Sequence, residues 1–237
     1  LVTLRNSAVH GRNVSVREAD EFIDEVRALL RKFDRLPTES APDIRRRPFV
    51  ESDLHGTTDW LSEVVHYVAS RPTREVKIKV IGMTMYQAWD IVQERILTHV
   101  GDMGPSVTVQ IDLAMLDSSW DQVMAFDPSW QRRARQYEQE IRDGVAASGL
   151  STLGVTLRRY RFFPAIHGFV IADEFMIASM SRYERQRLGA AFVPYFAMSR
   201  TGDPLVTYLF DYFQSWWDNF PEPEVLRVPE HVSPANP

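Results

Sequence analysis

The chain has no cysteine. That excludes disulfides, thiolate metal sites and cysteine nucleophiles. It fits a reducing compartment, so a cytoplasmic protein is expected. Long hydrophobic runs are also missing. None approaches the ~18 residues that a spanning helix needs, and no secretory-signal pattern opens the sequence. No membrane partner is therefore expected. Positive charge is not in excess: 27 Lys and Arg face 32 Asp and Glu, a net charge of −5. A surface basic throughout, as a nucleic-acid coat would be, is excluded, whereas a local basic groove is not. There is no internal repeat, no low-complexity tract and no glycine-rich dinucleotide fingerprint.

What is present is ordinary for a globular protein with a sizeable core: 237 residues, 44% hydrophobic and 25% charged. The sequence begins at Leu1 rather than methionine. A trimmed piece with a partner domain upstream is expected from that.

Periodicity divides the chain into three parts. Residues 1–72 read as a helical arm and linker. Ser15 and Glu18 form a capping box, and Ala19, Phe22, Ile23, Val26, Leu29, Leu30 and Phe33 follow at helical spacing over 14–36. A polar, proline-interrupted linker spans 37–56 and carries Arg45, Arg46 and Arg47. A second helix, 58–70, turns Trp60, Leu61, Val64, Val65 and Val68 inward, and Pro72 stops it.

Residues 73–222 read as an α/β domain. Strands are predicted at 75–82, 107–116 and 153–163, with helices between them striped by Met85, Trp89, Val92, Ile96 and Val100, and by Trp130, Ala134, Tyr137, Ile141 and Val145. A hairpin follows (HGFVIAD and FMIASM). The next strand, 190–198, contains Pro194 and is expected at an edge or bulge. Asp203 and Pro204 open a last helix, as N-cap and first residue. Residues 223–237 read as an irregular tail. The fold class is an α/β sandwich with a mixed, largely parallel central sheet.

The chemistry-bearing stretch is Arg158 to Arg182, RRYRFFPAIHGFVIADEFMIASMSR. His167 opens an apolar strand, where a pocket role competes with a strand-end histidine bonded to a nearby group. Arg159 and Arg161 share one strand face and suit an anion, or else pair with acids. Glu174 or Asp173 could orient His167, although acids at a hairpin turn are common. Gly82, Met83, Thr84, Tyr86 and Trp89 surround a strand-to-helix turn where backbone N–H groups can hold an anion. Asp112 and Asp117 could hold Mg²⁺. No third ligand is visible, so no metal and no cofactor is expected. The run Gln131–Gln136 reads as a solvated helix start or a contact surface.

From Arg74 to Phe220 the order of elements resembles one half of the phospholipase D superfamily. There KIKVIGMTMYQAWDIVQERIL and VTVQIDL stand for the first strands and helix, LRRYRFFPAI leads into His167, and LVTYLFDYFQSWWDN closes the half. The family's motif is His-x-Lys, four residues, then Asp, on a hairpin. Here the lysine position is Phe169, the aspartate position is Glu174, and Met180-Ser181-Arg182 replaces the Gly-Ser turn.

The resemblance implies a degenerate member, of the kind found attached to bacterial regulators. Such a module would sense or interact rather than cut. The expected ligand is anionic, phosphorylated or nucleotide-like, held by Arg159, Arg161, His167, Glu174, Thr84 and Tyr86. The state would pass through the N-terminal helices to a fused or associated DNA-binding or effector domain. A single half also implies a homodimer with the two His167 regions facing. A second reading is an active phosphodiesterase or nuclease with His167 as the catalytic residue and an arginine replacing the lysine. A third is a structural assembly subunit.

Overall fold

The computed structural model describes residues 49–51, 54–99, 106–121, 128–184, 187–189 and 194–226. The helix expected at 14–36, the run Arg45–Arg47 and the helix stop at Val100 and Gly101 lie outside these residues.

One eight-stranded sheet organises the described chain. Its strands are β1 (Phe49–Glu51), β2 (Glu75–Ile81), β3 (Thr108–Leu116), β4 (Leu153–Tyr160), β5 (Ile166–Ile171), β6 (Phe175–Met180), β9 (Tyr195–Ser199) and β10 (Glu224–Leu226). The order is β1-β9-β6-β5-β2-β3-β4-β10. The centre is parallel, β2 with β3 and β3 with β4. Antiparallel strands extend it on both sides, so the sheet is mixed, as expected. Strands β7 (Arg182–Glu184) and β8 (Arg187–Gly189) make a separate ribbon.

Helices cover both faces. On one lie α1 (Thr58–Ala69), α2 (Tyr86–Ile91, continued by a π-helical segment Val92–Leu97) and α3 (Pro128–Ala147). Trp89, Val92 and Ile96 are buried there, as are Ala134, Ile141 and Val145. The π segment has no signal in the local sequence. On the other face lies α4 (Pro204–Trp217), capped by Asp203, which accepts from the Leu205 and Val206 N–H groups. Its stripe Val206, Phe210, Phe213 and Trp217 packs on Ile81, Ala114, Leu116 and Val170. Covered on both faces, β5 and β6 are apolar nearly throughout, which is why they lack the alternation of β2.

Three expectations change. Phe49–Glu51, read within a linker, is a strand on β9. Consequently β9 lies between β6 and β1 and is not the edge that Pro194 suggested; Pro194 precedes the strand and removes no ladder donor from it. Glu224–Leu226, read within an irregular tail, pairs with β4. Three-residue strands carry too little sequence for periodicity to register, and tertiary pairing decides them. Before the exposed Pro72, α1 joins the core of the α/β part. Trp60, Leu61, Val64, Val65 and Val68 of α1 are buried in the same cluster as β2 and β3, each worth roughly 1.5–3 kcal/mol of burial.

The β5–β6 turn is strained. Ala172 has φ 52° and Asp173 φ 55°, and the Glu174 N–H donates to the Ile171 carbonyl at 3.0 Å. Aspartate tolerates the left-handed region, but alanine does so at a cost of about 1 kcal/mol. Ala172→Gly is therefore expected to stabilise the fold by about 1 kcal/mol in urea unfolding.

Candidate functional site

His167 stands second in β5, at the sheet end where the parallel strands terminate. Its neighbours follow from strand register: Gly168 pairs with Ile81 of β2, and His167 pairs with Ser179 of β6. Alternation puts His167 on the face of Phe169 and Ile171. The ring is 6% exposed. Nδ1 lies 3.5 Å from the Ser181 hydroxyl, which itself donates to the Pro164 carbonyl at 2.8 Å. The Tyr195 ring meets the imidazole edge-on at 5.5 Å. Nε2 is buried without a hydrogen-bond partner among the described residues. Burial lowers the pKa from 6.5 to about 4, so the ring is neutral near pH 7.

Phe169 occupies the position beside it on the same face and is fully buried in the core. Glu174 and Asp173 stand at the far end of the hairpin, roughly 13 Å along the strand from His167. Glu174 accepts both Arg71 guanidinium nitrogens at 2.7 Å. Asp173 accepts Lys79 at 2.8 Å. The expectation that either acid orients His167 is thus corrected: the hairpin ladder separates them.

Arg159 and Arg161 do not converge on His167 either. Arg159 donates to Glu138 of α3 and to Glu224 of β10, and Arg142 donates to the same two acids. This four-residue network pins β10 to β4 and α3. Arg161 lies past the end of β4 and donates to Asp117 at 2.8 Å and to the Ser119 hydroxyl at 3.3 Å; its side chain is 64% exposed. Asp117 is held below the usual carboxylate range by the Ser119 and Arg161 hydrogen bonds, against the opposing effect of burial. Thr84 lies in the bend between β2 and α2. Tyr86 is exposed and meets Tyr137 edge-on. Asp112 accepts Gln110 and Thr156 within the strands, five residues from Asp117. Among the described residues no group of acids and histidines is arranged to hold a metal. Arg132, Arg133 and Arg135 lie on the exposed side of α3.

The network has a pH signature. The hydrogen bonds from Arg142 and Arg159 lower the Glu224 pKa from 4.5 to about 2. The folded-state value is depressed, so its contribution is complete above about pH 4.5 and is lost as pH falls toward about 2. Glu224→Gln is expected to flatten this part of the acid-unfolding profile, followed by circular dichroism, and to leave the profile above it unchanged in shape.

Of the close neighbours, Ser179 and Ser181 enter the sequence reading only at the place of the Gly-Ser turn, and Tyr195 is not singled out. Counting the hairpin register outward from the Ala172–Glu174 turn would have placed Ser179 opposite His167. Tyr195 reaches the site through β9; the sequence predicts a strand there, but not that it lies beside β6.

No protein-family model matches the chain, and no curated protein matches its sequence. Among solved structures the chain is similar to Nuc of Salmonella typhimurium, a phospholipase D family member, at 12% identity and TM-score 0.36, over 74% of this chain and 97% of that one. It is similar to NucT of Helicobacter pylori at 11% identity and TM-score 0.36, over 73% and 97%. It is also similar to the phosphatidylserine synthase of Haemophilus influenzae at 13% identity and TM-score 0.42, over 91% and 48%.

Proposed function

We propose that this chain is a phospholipase D-like domain that has given up phosphoryl transfer and serves as a regulatory or interaction module. The observation that carries this reading is His167: neutral, nine-tenths buried, beside Phe169, with no cation bearing on it among the described residues. Attack on phosphorus needs an accessible nucleophile and positive charge on the phosphoryl oxygens. The burial of His167 and the acid-paired arginines among the described residues speak against both. The two arginines that could replace the lysine are held by Glu138, Glu224 and Asp117.

The ligand in this reading is a phosphate-bearing molecule at the ends of β3 and β4. Arg161 is the exposed cation there, and an exposed ion pair such as Arg161–Asp117 is worth no more than about 1 kcal/mol, little enough for a dianion to compete. Partner domains and a second copy would be engaged through other surfaces than His167, because the ring is covered within the single chain.

The test is hydrolysis of bis(p-nitrophenyl) phosphate alongside thermal melting with pyrophosphate. Expected are no hydrolysis above background, no change in His167→Ala, and a raised melting temperature that Arg161→Ala abolishes. Turnover that disappears with His167 would overturn the proposal.

A further inference from the structure

A cavity of about 380 Å³ lies on the other face of the sheet from His167, between the β5–β6 turn, the end of β9 and α4. Its size suits a small molecule. The buried side chains of Val170, Phe210 and Phe213 give it an apolar floor. Its walls carry two cations and two anions: Lys79, Arg200, Asp173 and Asp211.

These four groups pair without saturating one another. Lys79 donates to Asp173 at 2.8 Å and to Gln214 at 2.9 Å, which leaves one of three ammonium donors without an acceptor among the described residues. Arg200 makes two long contacts, 3.3 Å to Asp211 and 3.5 Å to the Asp173 carbonyl. The other guanidinium N–H groups have no acceptor among the described residues. Asp173 and Asp211 each accept through Oδ1, and Oδ2 of each has no donor among the described residues. The Arg200 guanidinium also sits 5.4 Å over the Phe210 ring. The wall containing Asp173 is the β5–β6 hairpin turn, whose two central residues, Ala172 and Asp173, are at positive φ as a tight hairpin requires.

We propose that this cavity binds a zwitterion, an α-amino acid with an apolar side chain. Its carboxylate would take the open donors of Arg200 and Lys79. Its ammonium would donate to Asp211 and Asp173, and its side chain would lie on Val170, Phe210 and Phe213. The charge pattern selects this class. A plain anion would meet two carboxylates along with the two cations, and a plain cation the reverse. The site is separate from the phosphate-bearing ligand proposed at Arg161.

The experiment is calorimetric titration of the full chain with L-leucine, and with its two halves, 4-methylpentanoate and 3-methylbutylamine. L-leucine is expected to bind saturably, and each half at least about tenfold more weakly. Arg200→Gln and Asp211→Asn are each expected to weaken leucine binding by about tenfold or more. Both side chains are largely exposed, at 42% and 65%, so the variants should keep the wild-type circular dichroism; if Arg200→Gln unfolds, Asp211→Asn decides. No saturable binding of L-leucine, equal binding of 4-methylpentanoate, or unchanged binding by the folded variants overturns the proposal. The pyrophosphate response at Arg161 should persist in Arg200→Gln, so the two proposals fail separately.

Discussion

Gly168→Ala is expected to unfold the protein or to lower its stability by about 4 kcal/mol or more, a drop of about 10 °C in melting temperature for a chain of this size. Gly168 sits in the middle of the β5 ladder with φ +140°. A Cβ there would lie 2.0 Å from the Ile177 carbonyl oxygen and 2.6 Å from the Ala178 Cα. Both are backbone atoms of the neighbouring strand, so no side-chain movement relieves the clash. The two strands would have to separate where β5 joins β6 to the parallel core. Gly202→Ala is the control: nothing lies within 4 Å of a Cβ there, and thermal melting should barely change.

Phe169→Lys is expected to cost about 5 kcal/mol or more. Loss of a fully buried phenylalanine alone costs about 3–5 kcal/mol, and the ammonium would sit in the apolar cluster without a partner. Urea unfolding, or failure to obtain soluble protein, reads this out. Phe169→Leu, which keeps the site apolar, should cost only about 1.5 kcal/mol. The contrast has a functional meaning. In the proposed reading this is the position of the motif lysine, two residues beyond the histidine. Here it belongs to the core, so one substitution does not supply a phosphoryl-binding cation. If Phe169→Lys folded normally and hydrolysed bis(p-nitrophenyl) phosphate, the claim that this position belongs to a closed core would be wrong.

The framework was legible because its signals are local and repeated. Strand β2 alternates apolar and charged residues, α3 carries a stripe at helical spacing, and Asp203-Pro204 marks the start of α4. The short strands β1 and β10 were not legible, because each takes its conformation from the strand beside it. At the candidate site the sequence pointed to His167 and to Phe169 two residues on. It could not show that His167 is buried, since that depends on Tyr195 of β9 arriving from the other side of β6. Nor could it show where the arginines go. Arg159 meets Glu138 and Glu224 from elements 21 and 65 residues away, and Glu174 meets Arg71 from 103 residues away. Strand alternation gave the shared face of Arg159 and Arg161, but the bend after Tyr160 takes Arg161 out of the strand and toward Asp117.

The central claim is that His167 is a neutral core histidine and not a poised nucleophile. A nuclear magnetic resonance titration of its imidazole, assigned by comparison with His167→Gln, tests this directly. A folded-state pKa lowered from 6.5 to about 4 means that stability is complete above about pH 6.5 and falls as pH drops toward about 4. The whole effect is on the order of 3 kcal/mol. The expected result is a ring that stays neutral from about pH 8 down to about pH 5 and does not respond to phosphate. A ring that titrates at its ordinary value or above, and shifts when phosphate is added, would contradict the claim.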